Sequence, residues 1–148
     1  MQQESGATDE AEARIRSSFA KQGLMNTIGA TLESVAPGDV TIALRPAAAI
    51  AQQHGFVHAG AVSAIADTAA GYAALSLMPA TAGVLTTEFK INLLSPAEGD
   101  RIIARGKVIK SGRTLTVAQS EVFAESDGHS KLVALLTATL MTMEGRSD

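Results

Sequence analysis

The sequence predicts an α+β fold in which one long buried helix lies on a single antiparallel sheet of about six strands. Three observations lead there. From Val57 to Met78 almost every residue is a helix former or small and apolar, with no continuous polar face for water, as a helix inside a protein requires. Around it run alternating apolar and polar segments punctuated by turn signals. The 148 residues, 46% of them hydrophobic, suffice for one full core and give no sign of a second.

Taken in order, Met1–Ala7 is expected to be disordered, and Asp9–Gln22 reads as a short amphipathic helix ended by Gly23, with Ile15 and Phe19 on one face. Residues 1–26 therefore form an N-terminal tail and short helix, and residues 27–148 the single folded domain. Thr27–Val35 and Val40–Arg45 flank Pro37-Gly38-Asp39 and read as a hairpin. The central helix follows, closed by Pro79. Strands are then expected at Ala82–Leu94, Arg101–Lys110, Thr114–Glu125 and Lys131–Met143, forming a four-strand meander. Leu132–Leu140, apolar on both faces, reads as a central strand covered by the helix on one side and a partner on the other.

Composition excludes several function classes. A net charge of −3 provides no basic field to attract nucleic acid or an acidic membrane. The start, Met1-Gln2-Gln3-Glu4-Ser5, lacks the charged-then-apolar order of a signal peptide, and the polar interruptions of the helical run, Asp67 above all, argue against a membrane span. With no cysteine there is neither disulfide framework nor thiol nucleophile, so a soluble protein of the reducing cytoplasm is expected.

Asp67 is the residue that needs a reason. Burying a lone carboxylate costs several kcal/mol unless it is hydrogen-bonded or neutralised, and burial raises its pKa toward the range useful to a general base. Its helical neighbours Gly60, Ser63, Ala64, Ala70, Gly71 and Ala74 are all small, which suits close packing or a slot for a thin ligand. A purely structural role would have Ser63 or Thr68 capping the acid. At the start of the same helix, the N–H groups of Ala59, Gly60 and Ala61 have no partner within it and favour negative charge. Gln52 supplies a neutral amide donor that the Gly55 turn can fold back over the helix start. Oxyanion donors beside an acid on a rigid element are the parts of an acyl-transfer site.

These residues resemble a known family. The pattern Gln52-x-x-Gly55-x-x-His58-Ala59-Gly60, followed by Ala66-Asp67-Thr68-Ala69, is similar to the signature of hot-dog-fold acyl-CoA thioesterases of the phenylacetate-degradation (PaaI-like) group. There the motif reads Asn or Gln, Gly, His-Gly-Gly, and then Asp or Glu, at the same spacing. The likeness spans roughly Thr27 to Met143. Two departures stand out: Ala59 replaces the usual Gly, which keeps the backbone donor but narrows the slot, and Gln52 replaces the commoner Asn.

The resemblance implies the hot-dog fold and hydrolysis of an acyl-CoA thioester. It also implies a homodimer, or a dimer of dimers, whose active site is divided between subunits. Gln52 and the N–H of Ala59 or Gly60 would polarise the carbonyl from one chain, while Asp67 of the other acts as base or nucleophile. His58 is read as an orienter, since an ideal helix sets it about 180° from Asp67. A Ser or Thr on the strand after the helix maps to Thr86. The turn Lys110-Ser111-Gly112-Arg113-Thr114 offers cations and hydroxyls to the CoA nucleotide, in the manner of related enzymes, with a solvated hairpin as the plain alternative. Arg101, Arg105 and Lys107 alternate along one strand face and read as solvent-facing charges.

Other chemistries are set aside. His54 and His58 are separated by Gly55 and have no third ligand at helical spacing, so no metal is expected. Ser63 has neither a placed histidine nor a Gly-x-Ser-x-Gly elbow, and His129 follows a turn and is expected to be exposed. No cofactor is expected beyond the CoA of the substrate. The competing function is a non-catalytic acyl-CoA-binding hot-dog domain that senses or sequesters its ligand. The acyl group is not legible, for the five aromatic residues, Phe19, Phe56, Phe89, Phe123 and Tyr72, cannot be assigned to a pocket from sequence.

Overall fold

Two helices, a hairpin, a long helix and four long strands follow one another along the chain. The computed structural model describes residues 2–148. The elements are α1 (Gln2–Ala20), α2 (Gly23–Ile28), β1 (Thr31–Ala36), β2 (Asp39–Leu44), a single 3₁₀ turn at Ala48–Ile50, α3 (Ala59–Leu75), β3 (Gly83–Leu93), β4 (Arg101–Ser111), β5 (Leu115–Ser126) and β6 (His129–Met143). All six strands form one antiparallel sheet in the order β1-β2-β4-β5-β6-β3, and α3 lies across its inner face. This is the α+β hot-dog arrangement.

Several expected boundaries move. The expected disorder over Met1–Ala7 gives way to helix from Gln2 onward, while Met1 lies outside the described residues. Gly23 opens α2 instead of closing a helix, and the helix continues to Ile28, where Gly29 ends it in the left-handed conformation at φ 73°. The strand expected from Thr27 therefore starts at Thr31. The boundary drawn between residues 26 and 27 falls inside α2, and Ile15, Phe19 and Met25 are buried in the same core as α3. The central helix ends at Leu75 rather than Met78, its last carbonyls accepting bonds from the turn that precedes Pro79 and from Arg14.

The four-strand meander is corrected as well. β4, β5 and β6 do form one, but β3 pairs with β6 at the far edge, and Ser95–Asp100 carries the chain across to β4 beside β2. Turn composition marks where a strand ends and is silent about its neighbour in space. In β6 the inner residues Ala134, Leu136, Ala138 and Leu140 are buried, whereas outward-facing Leu135, Thr139 and Met141 are half-buried and Thr137 is exposed. Within one chain, then, the helix covers one face of this strand.

Helix and sheet meet at unusually short range. Ala66, Ala69, Ala70 and Ala73 present almost no side chain to the sheet, so α3 settles directly on β4 at Gly106, where an added Cβ would stand 2.4 Å from the carbonyl carbon of Ala69. Buried Ser120 on β5 donates to the Ala66 carbonyl at 2.6 Å. From α1, Arg14 donates to the carbonyls of Leu75 at 2.8 Å and Pro79 at 2.7 Å, satisfying groups a helix end leaves unpaired. Among the described residues, no helix is long and apolar enough to cross a membrane.

Candidate active site

Asp67 faces a cavity of about 510 Å³ between α3 and the start of β3. What sets its partner is a bulge. β3 pairs residue for residue with β6 up to Thr86 opposite Leu140, then Thr87 is extra, and pairing resumes at Glu88 opposite Thr139. Leu140 points at the helix, so Thr86 beside it does too, and its Oγ1 donates to Asp67 Oδ1 at 2.7 Å. Among the described residues, Asp67 Oδ2 has no partner and is left to the cavity. Burial pushes the Asp67 carboxyl above its ordinary value, and the Thr86 hydroxyl pulls it partly back. Ser63 does not cap the acid: its hydroxyl donates to the Ala59 carbonyl at 2.7 Å. Thr68 lines the same cavity.

The start of α3 is built by its own loop. Gln52 and Phe56 bond through their backbones, His58 N–H reaches the Ile50 carbonyl at 2.8 Å and Val57 N–H the Ala97 carbonyl at 2.9 Å. The Gln52 Oε1 accepts the His54 N–H, which leaves the Gln52 amide nitrogen free to donate. His58 is the N-cap, and its Nδ1 accepts the Gly60 N–H at 2.8 Å. This corrects the expectation for two of the three first-turn groups: the Gly60 N–H is occupied by His58 Nδ1 and the Ala61 N–H by the His58 carbonyl at 3.0 Å, and the free first-turn donor is the N–H of Ala59. A Cβ at Gly60 would stand 3.0 Å from His58 Nδ1, a tight contact that a small shift of the imidazole relieves. An imidazole accepting at Nδ1 carries its proton on Nε2, so His58 also presents a donor.

These two groups of residues do not meet within one chain. Gln52, Phe56, Ala59 and Val62 line a second cavity of about 450 Å³ with Leu93 and Leu94 from the end of β3. Ala59 and Asp67 are eight residues apart on α3, about 12 Å along its axis. A reacting carbonyl needs donor and carboxylate both within about 3–3.5 Å.

The turn between β4 and β5 is exposed throughout Lys110, Gly112, Arg113 and Thr114. Glycine is obligatory at Gly112, where a Cβ would lie 2.4 Å from the Leu115 carbonyl oxygen. Leu115 pairs with Met141 and Met141 with Leu85, a residue of the Asp67 cavity, so the turn sits at the same end of the sheet, two strands or about 10 Å away. Arg101 and Lys107 pair with Glu33 at 3.3 Å and Asp39 at 3.5 Å, and Arg105 lies 5.0 Å over the Phe123 ring. His129 is exposed, and no trio of metal-ligating side chains converges among the described residues.

Three residues beside Asp67 escaped the sequence reading. Ser18 of α1, Gln22 at the N-cap of α2 and Tyr72 of α3 line its cavity. The available signal was Tyr72, the chain's one tyrosine, in a largely apolar helix, whose hydroxyl needs a partner when buried.

Comparison with known proteins points to one family. A model of the thioesterase superfamily matches residues 54–131. A Halobacterium salinarum protein whose name assigns it provisionally to the esterases is 31% identical over 80% of this chain and 82% of its own length. The crystal structure of a thioesterase family protein from Silicibacter pomeroyi is 49% identical, covers 91% of this chain and 99% of that one, and superposes with a TM-score of 0.89. The Escherichia coli PaaI protein from the phenylacetic acid degradation operon shares the fold, with a TM-score of 0.85 at 21% identity over 95% of this chain and 99% of that one.

Proposed function

The chain belongs to the thioesterase superfamily of thioester hydrolases, and from that premise we propose that it cleaves an acyl-CoA thioester to a carboxylic acid and free CoA, in a site shared by two copies. The observation that carries this reading is Asp67: a carboxyl raised by burial, held at one oxygen by Thr86, with the other oxygen turned into an open cavity.

Strand β3 supplies the reason for two copies. It is an edge strand of 11 residues, with Phe89 and Leu93 about half exposed, and such an edge invites pairing. Its start, Val84 to Thr86, borders the Asp67 cavity, and its end, Leu93, borders the Gln52 cavity. Antiparallel pairing of β3 with a second β3 about a two-fold axis sets each start against the other's end. Asp67 of one copy then faces Gln52 and Ala59 of the other, and two complete sites form.

In that site the Ala59 N–H and the Gln52 amide hold the thioester carbonyl as it becomes an oxyanion. His58 orients the helix start. Asp67 begins the step either by taking a proton from an attacking water or by attacking as carboxylate to give a mixed anhydride that water then opens; both routes release the acid and the CoA thiol. The dipole of α3 adds to the oxyanion's stabilisation. Lys110, Arg113 and Thr114 hold the CoA phosphates, with Gly112 shaping the turn. No cofactor is required, and a chain without cysteine acting on acyl-CoA suits the cytoplasm. The test is thiol release from a panel of acyl-CoAs: the wild type turns some over, and Asp67→Ala remains dimeric yet loses nearly all turnover. Near-normal activity of the variant overturns the assignment.

A further inference from the structure

The cavity beside Asp67 does not stop at the carboxylate. It continues along α3 past Thr68 and Gly71 to Tyr72, and there Ser18 of α1 closes it together with Lys21 and Gln22 of the junction between α1 and α2. Ser18, Lys21 and Gln22 lie outside residues 54–131, the stretch that the family model matches. The middle of the cavity is bounded by Gly71, Val84 and Leu85, whereas its far wall is polar. The Tyr72 ring is buried, and its hydroxyl accepts from Gln22 Nε2 at 2.8 Å and lies 2.9 Å from Ser18 Oγ. Burial keeps that phenol protonated by pushing it above its ordinary value. Gln22 retains its Oε1 and a second N–H, so the wall both donates and accepts. Asp148 completes the lining, and Gly83 leaves the space for it, because a Cβ there would stand 2.7 Å from the Asp148 carboxyl.

We propose that this far wall makes the enzyme selective for short acyl groups ending in a hydroxyl, with Tyr72, Gln22 and Ser18 as the specificity-determining residues. The inference rests on the thioesterase reading above and deepens it. Asp67 stands about 7–8 Å from Tyr72 along the helix axis, room for a short chain between the thioester and the wall. An alkyl end reaching the wall displaces water from polar groups without replacing its hydrogen bonds, which is how sites built for a hydroxyl reject analogues lacking it. A terminal carboxylate meets Asp67 and Asp148 in the same cavity, and the cations near Asp148, Arg14 first and then Lys21, already act on its carboxylate. A hydroxyl is neutral, donates once and accepts, and matches what Gln22 leaves open.

The experiment compares kcat/KM for butanoyl-CoA and hexanoyl-CoA with their terminally hydroxylated counterparts and with adipoyl-CoA, in wild type, Tyr72→Phe, Gln22→Leu and Ser18→Ala. In the wild type the hydroxylated member of each pair is favoured about tenfold, the worth of one or two hydrogen bonds. Tyr72→Phe and Gln22→Leu each bring that ratio toward one, and because it is taken within a variant, any general loss of folded enzyme cancels. An alkyl preference in the wild type, a preference for adipoyl-CoA, or a ratio unmoved in both variants overturns the inference while leaving the thioesterase reading intact. Alkyl preference with unmoved variants would direct the acyl group to the apolar cavity at Phe56, Leu93 and Leu94 instead. Failure to hydrolyse any member of the panel overturns the acyl-CoA reading and this inference together.

Discussion

Replacing Gly106 with alanine probes the contact that fixes the position of Asp67. The new methyl would lie 2.4 Å from both the carbonyl carbon and oxygen of Ala69 and 2.6 Å from the Ala70 nitrogen. Ordinary carbon contacts lie near 3.5–4.0 Å, so α3 and β4 must separate by about 1 Å. The atoms in the way are backbone in the middle of a buried helix, flanked by alanines that are themselves fully buried, and no flexible side chain can move aside. Overpacking of this kind costs about 1–3 kcal/mol, and a backbone obstacle places this case near 3 kcal/mol. At this chain length that corresponds to a melting temperature lower by about 6–12 °C. Gly71→Ala is the matched control. Its methyl meets only Leu140 Cδ2 at 3.7 Å, and removing a glycine from a helix interior stabilises by about 0.5–1 kcal/mol. Thermal unfolding followed by circular dichroism, with all proteins at one concentration because assembly adds to stability, gives opposite signs for the two variants. A Gly106→Ala protein as stable as the parent would refute the close-packing argument. Since Asp67 precedes Ala69 by two residues, the displaced helix also pulls the carboxylate from Thr86, and kcat falls at temperatures where the variant is fully folded.

Thr86→Val removes the bond that lowers the Asp67 pKa, so the acid limb of the kcat/KM profile moves to higher pH; an unmoved limb contradicts Asp67 as the titrating group. Asp67→Asn tests linkage. A carboxyl raised in the folded state costs stability once ionised, so the variant unfolds at higher temperature than wild type at neutral pH, and the advantage fades as pH falls through the raised pKa toward the ordinary carboxylate range. An advantage constant over that window argues against a burial origin. Replacing Lys110 and Arg113 together with alanine raises KM for acyl-CoA by about five- to tenfold and leaves KM unchanged for an acyl thioester lacking the nucleotide; equal effects on both remove the turn from the CoA site.

The fold was legible where the signal is local. The apolar run around Asp67 gave α3, and the turns at Pro37-Gly38-Asp39 and Ser111-Gly112 placed two strand junctions because backbone geometry there depends on the residues themselves. Motif spacing brought out Gln52, His58 and Asp67 for the same reason: they occupy one loop and one helix. What failed was non-local. The placement of β3 at the far edge depends on which strand face meets which, and the bulge at Thr87 depends on pairing with β6. The occupied Gly60 N–H follows from a His58 rotamer that composition cannot specify. Ser18 and Gln22 reach the cavity through hydrogen bonds to Tyr72, contacts between residues 50 or more positions apart.

Mixing two inactive variants tests most directly whether Asp67 acts with Gln52 and Ala59 of another copy. Asp67→Asn and Gln52→Ala proteins are each purified, shown to be inactive, then unfolded together at equal amounts and refolded. With a divided site, half of the dimers are mixed and each carries one intact site of two, so thioesterase activity returns to about a quarter of wild type. If each chain carries a complete site of its own, every site in the mixture holds a defect, and activity stays at the level of the separate variants.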